Sequence, residues 1–134
     1  MIRFVSNLAR GRPIEVHRGS ARSWLHVSDA ARAIEAAGRL DQFSVINIGH
    51  PDLIPMEELA EMLRVELNAS PELVVTTDLP AKMTLIKRPT LDRQRTLLCF
   101  EPNVSLAEGI RRLCTIHGHP GPEQIPRVTL AAEP

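Results

Sequence analysis

Arg22 and Arg88 are the residues whose chemistry stands out first. A guanidinium is planar and permanently charged, and its fork of N–H donors matches two oxygens of a phosphate or carboxylate at once. The plain alternative for each is a solvated surface arginine or an ion-pair partner, the usual fate of that side chain. Trp24 and His26 stand two apart in an alternating stretch, so a strand there would turn both to one face. A packed tryptophan and a hydrogen-bonded histidine is the simpler reading of that pair. Asn47 and Gly49 close a β-branched run, where Asn-x-Gly supplies turn geometry and a polar group that could meet a ligand.

Cys114, His117 and His119 offer soft ligands at close spacing, a set that a transition metal would accept. No fourth ligand accompanies them. A cysteine on the core face of a helix, followed by polar histidines, accounts for the pattern without a metal. The two cysteines, Cys99 and Cys114, form neither a Cys-x-x-Cys pair nor a disulfide framework, which suits a reducing, cytoplasmic setting. Gly118 and Gly121 lie close together but are interleaved with Pro120 and Pro122, not set between a strand and a helix as a dinucleotide loop requires.

The elements that must position these residues follow from pattern. Ile2, Val5, Leu8 and Ala9 recur at helical spacing and stop at Gly11 and Pro13. Residues 13–17 and 23–27 alternate as two strands around an Arg18-Gly19-Ser20 turn. Ser28 is placed to cap a helix from Asp29 to about Leu40, with Ala30, Ala33, Ile34 and Ala37 as its small apolar face. Residues 44–49 read as a buried strand, followed by a loop containing Pro51 and Pro55. Met56, Leu59, Ala60, Leu63 and Leu67 define the clearest helix. Residues 73–76 and 83–86 are short strands, and residues 92–98 make one or two helical turns. Ser105 and Glu108 form a capping box that opens a last helix with Ile110, Leu113 and Cys114 inward. The expected division is a domain over 1–117 and a Pro/Gly-rich mobile tail over 118–134.

Composition narrows the function classes. Sixteen basic residues balance sixteen acidic ones, so no global positive field exists to hold a nucleic-acid backbone. The N-terminus lacks the apolar core of a signal peptide, and no run of about 18 apolar residues could span a membrane.

In order along the chain, four segments resemble the C-terminal, substrate-binding part of the NAD(P)-dependent nucleotide-sugar epimerase/dehydratase family of extended short-chain dehydrogenases/reductases. Gly11-Arg12-Pro13-Ile14 is similar to the family's Gly-x-Pro-aliphatic entry into a strand. Arg22-Ser23-Trp24-Leu25-His26-Val27-Ser28-Asp29 resembles its Arg-x-aromatic-x-His-Val-Asp-Asp. Val45-Ile46-Asn47-Ile48-Gly49 is similar to its Tyr-Asn-Ile-Gly strand end, leading to Glu57-Glu58-Leu59-Ala60. The fourth runs from Arg88-Pro89 through Leu98-Cys99-Phe100-Glu101-Pro102 to Ser105-Leu106-Ala107-Glu108-Gly109-Ile110, resembling Leu-Gly-Trp-x-Pro and Leu-x-Glu-Gly-Ile/Leu. Cys99 stands where the family has glycine, and Ile54 where it has a Ser or Thr cap.

The resemblance implies an α/β fold of short strands and amphipathic helices without the family's Rossmann half. It implies a nucleotide sugar (UDP-, dTDP- or GDP-linked) as ligand, with Arg22 and Arg88 on the diphosphate and Trp24 and Asn47 nearby. In the family NAD or NADP is held by the Rossmann half, and a Tyr-x-x-x-Lys pair does the acid/base work. This chain contains no tyrosine, so the reading expects no cofactor bound by this chain alone and no catalytic residue in it. A truncated or split enzyme is the expectation; a non-catalytic nucleotide-sugar-binding or protein-interaction module is the alternative. The faces that would meet the Rossmann sheet, residues 44–48 and the Ala30, Ala33, Ala37 stripe, are expected to seek a second copy or a Rossmann-containing chain.

Overall fold

The computed structural model of the protein describes residues 1–118. Of the expected tail, residues 119–134 lie outside the described part. Within it, helix α1 (Ile2–Ala9) turns Val5 and Leu8 inward, as its periodicity requires. The chain reverses into β1 (Ile14–His17), where Ile14 and Val16 are buried and Glu15 is exposed, the alternation of a strand with one covered face. Gly19, at φ +67, makes the turn that follows; this left-handed conformation suits a residue without Cβ.

Strand β2 (Ala21–Ser23) then leads to α2 (Val27–Ala37), and β3 (Leu53–Pro55) runs directly into α3 (Met56–Glu66). A 3-10 turn at Pro71–Leu73 feeds β4 (Val74–Thr77), followed by β5 (Ile86–Lys87), α4 (Asp92–Leu98) and α5 (Leu106–His117). The strands form two small sheets. β1 pairs with β4 in parallel, Ile14 opposite Val74. β2 lies between β3, antiparallel, and β5, parallel. This mixed α/β arrangement, with short strands and five α-helices among the described residues, matches the fold class the sequence resemblance implied.

Two clusters hold the elements. In the larger, α1, β1, α3 and α5 converge through Val5, Leu8, Ile14, Val16, Leu59, Ala60, Leu63, Ile110 and Cys114. Full burial of such an aliphatic side chain stabilises by roughly 1.5–3 kcal/mol, so this cluster supplies what the scarce aromatics do not. The smaller joins α2 to α4 through Ala33, Leu98 and Phe100, with Ile46 and Ile48 packed on its edge.

Five expectations are corrected. Residues 24–27 are not a strand: β3 and β5 offer partners only up to Ser23, and Trp24 and Leu25 lead directly to the α2 cap. That cap is His26, whose ring accepts from the Ser28 amide, so Ser28 is already helical. On α2 only Ala33 of the expected apolar face is fully buried and covered, whereas Ile34 is 70% exposed. Residues 44–49 form no ladder; Ile46 and Ile48 pack inward while Phe43 and Val45 are 93% and 66% exposed. The loop expected at Pro55 contains β3, where proline is tolerated at the strand's end.

Candidate functional site

β2 sits in the middle of its sheet, so the side chains of Arg22 and Lys87 stand in register across the parallel β2–β5 pair. Both line a cleft of about 440 Å³, together with Trp24, His17, Met56 and Met83. A wider cleft of about 920 Å³, between α1 and the β1–β4 sheet, shares Phe4, Glu15 and His17 with it. His17 therefore stands where the two meet, its Nδ1 3.3 Å from the Thr77 hydroxyl.

The Arg22 guanidinium is oriented by backbone carbonyls. Its Nη1 donates to Ala21 O and Leu85 O, each at 2.8 Å, and its Nη2 donates to Thr84 O at 3.1 Å. Trp24 lines the same cleft, and its indole N–H is buried with no partner among the described residues. An unpaired buried donor costs about 1–3 kcal/mol, which the packing of the indole against the larger core must offset.

Asn47 and Arg88 are outside the lining of this cleft. Asn47 is exposed and its Nδ2 donates to Thr90 O at 3.4 Å, tying residues 47–49 to the chain just after Arg88. Arg88 is exposed and follows β5. Gly49 explains why the two segments meet: a Cβ there would come within 2.7 Å of Pro89 Cγ and 3.2 Å of Ser23 Oγ. The Gly49 amide donates to Gln94 Oε1 at 2.8 Å, and Gln94 is fully buried. The structure thus joins Arg22 with Trp24 and sets Asn47 near the Arg88 segment.

Two residues that organise the site were not singled out by their spacing. Lys87 became visible only through the β2–β5 register, which no local pattern encodes. Asp29, 1% exposed, accepts from the amides of Asn103 and Val104 at 3.1 and 2.9 Å and from Arg32 at 2.7 Å. Burial alone would raise its pKa, but those amides and the guanidinium outweigh it and hold the carboxyl below its ordinary value. It fixes the start of α2, and hence the Trp24–His26 approach, to the loop preceding α5.

Elsewhere, Cys114 is buried on the inner face of α5; burial, then Glu66, pushes its thiol pKa up. His119 lies outside the described residues. Among the described residues no cluster of His, Cys, Asp and Glu is suited to a metal, and no helix is long and apolar enough to cross a membrane.

A dinucleotide needs a strand, a glycine-rich turn and the N-terminus of a helix to seat its pyrophosphate. Among the described residues β2 reaches α2 through Trp24, Leu25 and His26, and β3 abuts α3 directly. These connections do not fit that group.

The described residues form short strands flanked by amphipathic helices, with a cleft lined by Arg22 and Lys87 on one sheet. No protein-family model matches the sequence. The chain is 30% identical over 115 residues to UDP-glucuronic acid decarboxylase 1 of Arabidopsis thaliana, covering 82% of this chain and 26% of that protein. It superposes on the UDP-glucose 4-epimerase of Thermotoga maritima, solved with UDP-glucose, with a TM-score of 0.73 at 24% identity, over 81% of this chain and 35% of the other. The dTDP-glucose 4,6-dehydratase of Bacillus anthracis, solved with NAD, gives 0.73 at 19% identity, over 84% and 36%. Over about four fifths of its own length the chain is similar to NAD-dependent epimerases and dehydratases, and it spans about a third or less of the curated relatives it matches.

Proposed function

We propose that this chain is the nucleotide-sugar-binding portion of an NAD(P)-dependent sugar-nucleotide epimerase or dehydratase, in truncated or split form and not catalytic alone. The observation that carries the proposal is the in-register pair Arg22 and Lys87 on one wall of the cleft with Trp24. Two cations beside an aromatic face suit a diphosphate attached to a base or sugar. Arg88 and Asn47 lie outside the cleft lining, and Asn47 ties residues 47–49 to the segment that follows Arg88. Proteins of similar fold were solved with UDP-glucose and with NAD, which favours a nucleotide sugar as ligand and NAD or NADP as cofactor of the complete enzyme.

The acid/base and hydride chemistry then belongs to a Rossmann-containing partner, because this chain has no phenol to move the proton. Phe43 and Val45, both exposed, the latter within residues 44–48 that join no sheet among the described residues, are the surface on which that partner, or a second copy, would close. The test is titration of the purified chain with UDP-glucose, UDP-glucuronic acid and dTDP-glucose, alongside turnover assays with added NAD or NADP. Binding without turnover is expected. Robust turnover by the chain alone, or no affinity for any of the three, overturns the proposal.

A further inference from the structure

The bonds made by Arg22 tie a strap of chain to the cleft. Residues 83–87 reach β2 through only two paired positions, Ile86 and Lys87, together with the Ala21 amide bonded to Leu85 O at 3.0 Å. Met83, Leu85 and Ile86 are each 45–50% exposed, so little apolar burial holds them down. Yet Met83 and Lys87 form part of the cleft wall. What secures this stretch is the Arg22 side chain, which donates to the Leu85 and Thr84 carbonyls at 2.8 and 3.1 Å.

A guanidinium has five N–H donors. Nη1 spends both of its donors, on Ala21 O and Leu85 O, and Nη2 spends one on Thr84 O. Among the described residues Nε–H and one Nη2–H remain without a partner, as many donors as a bidentate oxyanion contact uses. An anion can therefore join Arg22 without displacing the strap. Its charge also polarises the guanidinium's other bonds and draws on Lys87, which the strap itself carries.

We infer that Arg22 is a latch that fixes the Met83–Lys87 strap over the cleft, and that a phosphate-type oxyanion seated on its two free donors tightens the strap. The anion half rests on the proposed function; the latch half does not.

Hydrogen exchange over residues 79–88 tests both, with inorganic pyrophosphate as the probe. In Arg22→Ala the strap amides should exchange about tenfold faster than in the parent, while α3 and α5 amides keep their protection. Arg22→Lys should fall between, since an ammonium keeps charge without the fork. Pyrophosphate should slow exchange in the parent strap and leave Arg22→Ala unchanged. Equal strap exchange in parent and Arg22→Ala removes the latch, and equal slowing by pyrophosphate in both removes the coupling. A strap that tightens with pyrophosphate in a chain that binds no nucleotide sugar leaves the latch standing and defeats the function proposed above. If Arg22→Ala loses α3 and α5 protection, Arg22→Gln and Arg22→Lys carry the same comparison.

Discussion

Lys87 stands directly beside Arg22 across a parallel pair of strands, and each cation lines the same cleft. Adjacent like charges repel, by an amount that solvent moderates, so a dianion placed between them relieves that cost as well as gaining two charge-assisted contacts. Arg22→Ala and Lys87→Ala should each weaken UDP-sugar affinity roughly tenfold, equivalent to about 1.4 kcal/mol. Arg88→Ala, exposed and outside the cleft lining, should cost no more than about two- to threefold. Arg111→Ala, on an α5 arginine paired with Glu108 away from the cleft, should leave affinity unchanged. Calorimetric titration ranks the four, and parent-like affinity in both Arg22→Ala and Lys87→Ala would discard the diphosphate role.

Asp29→Asn should destabilise the fold by about 1–3 kcal/mol at neutral pH, because an amide cannot accept from two backbone N–H groups and Arg32 as a carboxylate does. Its folded pKa is lowered. The stabilisation is therefore complete above the unfolded value near 3.9 and is lost as pH falls through the lower folded value. Urea unfolding of parent and variant from pH 7 down to pH 3 should show the gap narrowing only below about pH 4; a gap independent of pH would mean the carboxylate charge is not responsible.

Gly49→Ala places a methyl group against Pro89 and Ser23 in a site with no free space. Separation of the 47–49 and 88–90 segments should cost about 1–3 kcal/mol, read as a lower urea midpoint. Gly11→Ala makes the contrast, since its added Cβ meets nothing and its cost is that of a positive φ alone.

Cys99 ends α4 in the left-handed conformation, at φ 46 and ψ 37. Glycine, the residue that the resembling family carries there, would remove the Cβ penalty, so Cys99→Gly should stabilise by about 1 kcal/mol. A thermal midpoint at or below the parent's, measured under reducing conditions, would contradict this.

How far the sequence disclosed the molecule depends on the range of the forces involved. α1, α3, α4 and α5 were legible because a periodic apolar stripe or a cap is written within one element: Leu59, Ala60 and Leu63 are fully buried, and Ser105 Oγ accepts from the Glu108 amide as the capping box requires. β3 was not legible, because three residues ending in proline become a strand only against β2. Trp24 and His26 lost their shared strand for the same reason, their would-be partners ending at Ser23. Residues 44–49 have the composition of a buried strand, yet what a strand needs is a neighbour, and the described residues supply none. Of the site, Arg22 and Trp24 could be read from one motif, whereas Lys87 needed a register set by residues more than sixty positions away.

That distance has a kinetic consequence. His17 meets Thr77 at a separation of 60 residues, and Arg22 meets Leu85 at 63, so neither sheet can close until most of the chain exists. Long loops must be ordered before any ladder bond rewards them, which makes such pairings slow to form. During synthesis the apolar strands Ile14–His17 and Val74–Thr77 stand open while waiting for each other. Their folding is therefore exposed to competition from other chains, and yield should depend on expression rate and temperature more steeply than for a helical bundle of the same length.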